Sequence, residues 1–216
     1  MKFLYLCLIP LSQVVADGFV KVCDEPLVYV CDRFLKDQDC DHLIALGAPS
    51  LKRSTVVNPD GAVSLIDSRR TSLGMFLPFF TQDEVVLNIH RRIAEVTSIP
   101  EENGESMQIL YYGEGAEYRP HYDYFDPKTP GGLFHYRRGG QRVASFIIYL
   151  NTPEAGGETV FPRVHLKITP EKGKALLFYN VDAMGAEDPM SFHGGAPVLK
   201  GEKWIITRWL RESTFY

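Results

Sequence analysis

His121 and Asp123 stand one residue apart in Tyr118-Arg119-Pro120-His121-Tyr122-Asp123, and a second histidine, His193, precedes Lys203 by ten positions. Two imidazoles and one carboxylate on one face of an octahedral ferrous ion leave the opposite face open, where a chelating co-substrate and dioxygen can bind together. On a strand, residues i and i+2 point the same way, so an extended Tyr118–Asp123 segment would aim His121 and Asp123 at one ion. One carboxylate leaves Fe(II) with about one positive charge, enough for the chelating end of an oxo acid but not for the far end of a dianion. A second cation is needed, and Lys203 supplies it if the chain leaving His193 turns at Lys200-Gly201 and returns along a neighbouring strand. A lysine buried there without an anion would be heavily penalised, so a bound carboxylate accounts for it. His121, Asp123 and His193 are therefore expected as metal ligands, and with Lys203 as the catalytic set. Taken singly, a His-x-Asp is more often a surface pair or a satisfied core histidine, and Lys203 a solvated strand end.

The surrounding motifs change that weighting. Leu110-Tyr111-Tyr112-Gly113-Glu114-Gly115 lies upstream; Gly139-Gly140-Gln141-Arg142 and Gly156-Gly157-Glu158-Thr159 follow; then come His193-Gly194-Gly195-Ala196-Pro197-Val198 and Gly201-Glu202-Lys203-Trp204. In this order they resemble the catalytic domain of the prolyl 4-hydroxylases, Fe(II)- and 2-oxoglutarate-dependent dioxygenases, from about Glu25 to Trp209, with the compact bacterial-type members most alike. The resemblance implies a double-stranded β-helix, with Lys203 binding 2-oxoglutarate and Tyr112 and Thr159 giving hydroxyls to the same distal carboxylate. It also implies that Tyr118, Arg142 and Trp209 lie on the substrate side, Arg142 donating to a peptide carbonyl and the two aromatic rings facing a pyrrolidine. The implied activity is 4-hydroxylation of proline in peptides or proteins, with O2 consumed, succinate and CO2 released, and L-ascorbate restoring oxidised iron. Two other classes stay open: the same oxygenase chemistry on a free amino acid, another side chain or a nucleobase, and a non-catalytic jelly-roll module that binds peptide. The four intact residues His121, Asp123, His193 and Lys203 count against the last.

Composition narrows the partners. At 216 residues, 45% hydrophobic and 23% charged, the chain is long enough for one sizeable core and lacks a disorder-like bias. A formal net charge of -4 and a pI near 5.9 give no overall attraction for phosphate backbones, which counts against a nucleic-acid partner. The expected partner is a proline-containing peptide or protein, and a homodimer stays open. No apolar run approaches membrane-spanning length. Met1-Lys2, an apolar stretch to Leu11 and Val14-Val15-Ala16 together look like a cleavable signal peptide over residues 1–16, which would make the chain secretory or periplasmic. An added strand or a start placed off by a few codons is the alternative, leaving a cytoplasmic protein. Cys23, Cys31 and Cys40 are expected as buried thiols.

The expected architecture is α+β, one domain over 17–216, with helical support over about 32–100 and a jelly-roll core over about 106–212. Phe19–Val22 and Leu27–Cys31 read as strands, and Lys36–Ala48 as a helix beginning near Asp37. Thr81-x-x-Glu84 reads as a capping box opening a second helix with Val85, Ile89, Ile93 and Val96 at helical spacing. Strands are then expected at 107–112, 118–123, 142–150, 158–161, 174–179, 196–199 and 203–210. On the last, Lys203, Ile205, Thr207 and Trp209 share one face and Trp204, Ile206 and Arg208 the other. Gly156-Gly157 reads as a hairpin turn needing positive φ. The stretches around Asn58-Pro59-Asp60-Gly61 and from Asp126 to Gly140 read as mobile loops, with Arg69, Arg70, Arg137 and Arg138 as solvated charge or substrate contacts.

Overall fold

The computed structural model describes residues 18–61, 64–78 and 80–216; the expected signal peptide lies outside them. In chain order the elements are β1 (Phe19–Asp24), β2 (Leu27–Cys31), α1 (Asp37–Gly47), β3 (Lys52–Arg53), β4 (Leu73–Phe76), α2 (Glu84–Thr97), β5 (Gln108–Tyr112) and β6 (Tyr118–His121). They continue with α3 (Pro130–Tyr136), β7 (Arg142–Tyr149), β8 (Ala155–Gly156), β9 (Thr159–Phe161), β10 (Leu166–Ile168), β11 (Ala175–Tyr179), β12 (His193–Gly195), β13 (Val198–Lys200) and β14 (Lys203–Arg211). An eight-stranded sheet runs β1-β2-β11-β7-β14-β5-β4-β3, a four-stranded sheet runs β10-β9-β12-β6, and β13 pairs β8. Every pairing is antiparallel. This is the jelly roll that the sequence led us to expect.

The two-residue period of the central strands divides the core. From β7, Ala144, Phe146 and Ile148 join Trp204, Ile206 and Leu210 of β14 under the helices, against Leu43 of α1 and Val86, Ile89, Ile93 and Val96 of α2. Ile147 and Tyr149 point the other way and meet Phe161, Ile168, Phe178, Val198 and Ile205 between the sheets. Each such side chain contributes ~1.5–3 kcal/mol on full burial, so both layers hold the large sheet rigidly around whatever its inner face carries. Cys31 and Cys40 are buried free thiols; Cys23 is free and half-buried rather than buried.

Several local expectations shift. Thr81 and Glu84 do not form the capping box, because Glu84 is the first helical residue; Asp83 is the cap, its carboxylate accepting from the amides of Val85 and Val86, each at 3.1 Å. Gly156 and Gly157 do have positive φ, but β8 pairs with β13 and β9 with β10 and β12, so they join separate pairings instead of making a hairpin. The stretch from Asp126 to Gly140 contains α3, capped by Thr129, whose hydroxyl accepts from Gly132 N at 3.0 Å. Two consecutive glycines hid it. Gly131 N donates to Pro59 O at 2.9 Å, and a Cβ there would lie 1.7 Å from the Asn58 carbonyl oxygen, while one on Gly132 would lie 1.9 Å from the Asp126 carbonyl oxygen. The two segments read as mobile loops are thus seated against each other.

Candidate active site

His193 of β12 and His121 of β6 are direct partners across the ladder, so strand pairing brings two residues far apart in the chain to one point. Asp123 reaches that point from the loop just past β6, which ends at His121; the expected same-strand alignment of His121 and Asp123 gives way to a cross-strand histidine pair plus a loop carboxylate. One ligand atom from each of the three lies within 4.8 Å of the others. His121 Nε2 is 3.5 Å from Asp123 Oδ1, and His193 Nε2 is 3.5 Å from Asp123 Oδ2. Each ring is held by its other nitrogen: His121 Nδ1 donates to Arg119 O at 2.9 Å and His193 Nδ1 to Ser191 O at 2.8 Å. A carbonyl only accepts, so each Nδ1 carries a hydrogen, and the Nε2 atoms are the ones turned toward Asp123.

Charge states agree with a metal site. Burial opposes ionisation of Asp123, yet the neighbouring His193, His121 and Arg142 outweigh it and hold the carboxyl well below the usual range. Burial pulls His193 down to about 4, so at neutral pH it is a neutral imidazole with a lone pair to give. The neutral His193 imidazole, the ionised Asp123 carboxylate and the His121 Nε2 beside it, all pre-aimed, fit a ferrous ion.

Lys203 begins β14 opposite Tyr112 of β5. The expected face assignment of β14 holds: Lys203, Ile205, Thr207 and Trp209 line a narrow inner cavity beside the three ligands. Lys203 is 2% exposed and, among the described residues, no carboxylate comes within ion-pair distance of it. Burial pulls its pKa down to about 8, opposed by the more distant Glu158. The ammonium sits 5.3 Å from the Tyr112 ring centroid and 5.6 Å from that of Tyr149. Thr159 and Tyr112, both expected here, line the same cavity, and the Thr159 hydroxyl shares a 2.7 Å hydrogen bond with Tyr149. Tyr149 was missed by sequence reasoning, although alternation along β7 puts it on the same face as Ser145 and Ile147.

A wider groove of about 560 Å³ adjoins the inner cavity, within the ~300–1,000 Å³ common for ligand sites. Arg70, Tyr118, His121, Asp123 and Trp209 line both. The Tyr118 ring stacks on His121, centroids 3.6 Å apart at 17°. Trp209 is buried and its indole N–H has no partner among the described residues. Arg142 is more committed than its expected role suggests. Its Nε and Nη2 bond Glu105 at 2.6 and 2.7 Å, and the guanidinium lies over Trp209 at 4.0 Å, leaving Nη1 as the nitrogen not bound to Glu105. Glu105 also accepts from Arg211 Nη1 at 2.8 Å. Arg70 is not solvated: it is 6% exposed, donates to Thr55 O and Gln108 Oε1 at 2.9 and 3.1 Å, and lies over Tyr118. Glu105, Arg70 and Arg211 carried no motif, and only their charge in otherwise apolar or turn-rich stretches marked them.

The chain is similar to known proteins over most of its length. The model of the 2OG-Fe(II) oxygenase superfamily matches residues 107–211. The probable prolyl 4-hydroxylase 7 of Arabidopsis thaliana is 41% identical over 208 residues, 88% of this chain and 64% of that protein. Prolyl 4-hydroxylase 5 of the same plant is 41% identical over 88% of this chain and 70% of its own length. The crystal structure of a viral collagen prolyl hydroxylase from Paramecium bursaria Chlorella virus-1, in complex with 2-oxoglutarate, superposes with a TM-score of 0.66 at 30% identity, covering 88% of this chain and 98% of that one. A Pseudomonas putida prolyl-4-hydroxylase, 17% identical with a TM-score of 0.58, supports the fold. The chain belongs to the prolyl 4-hydroxylases, proline 4-dioxygenases of the 2OG-Fe(II) oxygenase superfamily.

Proposed function

We propose that the chain 4-hydroxylates proline residues of peptides or proteins laid in the outer groove, with His121, Asp123 and His193 holding Fe(II) and Lys203 anchoring 2-oxoglutarate. The observation that carries this reading is the convergence of three pre-aimed side chains beside a buried ammonium that has no carboxylate at ion-pair distance among the described residues. Iron, when bound, supplies the activation of O2 that couples decarboxylation of the oxo acid to hydroxylation. The residues do the placing. Lys203 supplies the charge for the distal carboxylate, and the Tyr112, Thr159 and Tyr149 hydroxyls add hydrogen bonds around it. The apolar wall of Ile147 and Ile205 keeps water from the ion, which strengthens every charge interaction there. Tyr118 and Trp209 flank the place where a pyrrolidine ring would meet the metal, and Arg142, set by Glu105, offers Nη1 to a peptide carbonyl. L-ascorbate belongs to this proposal as the reductant that returns oxidised iron to the ferrous state.

A peptide panel incubated with Fe(II), 2-oxoglutarate and ascorbate tests the reading by mass spectrometry. Gain of one oxygen on proline, in step with succinate, is the expected result. Succinate release coupled to a free amino acid, another side chain or a nucleobase, with proline peptides unchanged, would overturn the acceptor; peptide binding with no turnover would overturn the enzyme.

A further inference from the structure

We propose that Ser145 is a positioning residue that restricts Asp123 to a single metal-ligating oxygen. The inference rests on the ligand set proposed above. Ser145 lies on β7 opposite Trp209 of β14, fully buried between the sheets. Its hydroxyl bonds Asp123 Oδ2 at 2.6 Å, and Asn180 Nδ2 bonds the same hydroxyl at 3.0 Å. An amide nitrogen only donates and a carboxylate only accepts, so the one hydroxyl hydrogen goes to Asp123 and the polarity of the relay is fixed. Asn180 is itself pinned through its backbone, its N–H donating to Val143 O and its carbonyl accepting from Asp188 N, each at 2.9 Å.

The short O–H···O⁻ bond is of the charge-assisted kind, and it occupies one oxygen only. Oδ1 has His121 Nε2 as its neighbour; Oδ2 lies an equal 3.5 Å from His193 Nε2. Both oxygens therefore border the point where the ion would sit, and distance alone does not select one of them. The serine hydrogen bond occupies Oδ2 and withdraws electron density from it, which leaves Oδ1 as the oxygen free to ligate. A carboxylate bound through both oxygens would take a fourth coordination position, leaving too few for a chelating oxo acid and O2 together. Asp123 supplies the ligand, and Ser145 keeps the neighbouring position free.

The test uses the full chain, stripped of metal and then titrated with Co(II), whose visible bands report coordination. A parallel anaerobic titration follows the charge-transfer absorption that Fe(II) and 2-oxoglutarate give together. Ser145→Ala is expected to fold, to bind Co(II) within about threefold of the parent with altered bands, and to need roughly tenfold more 2-oxoglutarate for half-maximal absorption, at the low end of what outer-shell partners of metal ligands contribute. Ser145→Thr, which keeps the hydroxyl, is expected to restore the parent spectrum and titration. The proposal falls if the Ser145→Ala bands and oxo-acid titration match the parent within about twofold. It falls equally if only metal affinity drops while the loaded protein takes up the oxo acid normally. Failure of the parent itself to bind Co(II) would remove the ligand set, a different and separable outcome.

Discussion

Replacing Lys203 by methionine removes the charge and keeps most of the length. A lysine whose folded pKa falls from the ordinary 10.5 to about 8 destabilises the folded state wherever the unfolded chain would be protonated. At ~1.4 kcal/mol per tenfold, that is roughly 3 kcal/mol, present in full below about pH 8 and fading as pH rises toward 10.5. Lys203→Met should therefore raise the melting temperature of the ligand-free protein at neutral pH by several degrees, at ~2–4 °C per kcal/mol for a chain of this size. Binding moves the opposite way. Removing one partner of a buried ion pair costs ~3–5 kcal/mol, so the KM for 2-oxoglutarate should rise at least about 100-fold, with kcat far less affected once the oxo acid saturates. In the parent the same KM should stay flat below about pH 8 and climb above it as the ammonium deprotonates, while in the methionine variant that climb should vanish. Thermal melts of the ligand-free protein and succinate release against oxo-acid concentration measure both. A KM within about threefold of the parent, or a lower melting temperature, would refute the assignment of Lys203.

Asp123→Ala should abolish turnover and weaken Co(II) uptake at least about 100-fold by calorimetry, since it deletes a ligand outright. Glu105→Gln leaves the Arg142 and Arg211 guanidinium groups buried without their shared carboxylate. It should cost ~3–5 kcal/mol in denaturant melts and raise the peptide KM while that for 2-oxoglutarate holds. Gly131→Ala forces the added carbon against the Asn58 carbonyl, 1.7 Å away, and should part the two loops. Faster hydrogen exchange over residues 56–61 and 129–136, with a raised peptide KM and an unchanged oxo-acid KM, is the expected outcome.

That His121, Asp123 and His193 converge, and that Lys203 faces inward beside them, was legible from residue type and, for Lys203, from alternation along its strand. β14 keeps its two-residue period from Lys203 to Trp209, so assigning Lys203 to the interior assigned Trp209 as well. What escaped was set by pairing across the sheet. Tyr149 meets Thr159 only because β7 and β9 face each other across the barrel, and Ser145 of β7 meets Asp123, a loop residue 22 positions earlier in the chain. Asp123 itself was placed on a strand that stops at His121. Arg70 was left between solvated charge and a substrate contact because nothing local distinguishes a buried arginine whose partners are the distant Thr55 and Gln108. In α3, two glycines suppressed the helical pattern because backbone crowding, of Gly131 by the remote Asn58 and of Gly132 by the nearby Asp126, rather than helix propensity, chose them.

Tyr118 and Trp209 form the wall common to the inner cavity and the outer groove. A chain molecule lying along that wall stands in the doorway of the smaller chamber, so the small acid has to enter first and its spent form has to wait until the longer guest departs. Steady-state kinetics should then be ordered, with an unreactive mimic of the small acid competing against it alone and an unreactive chain trapping it inside.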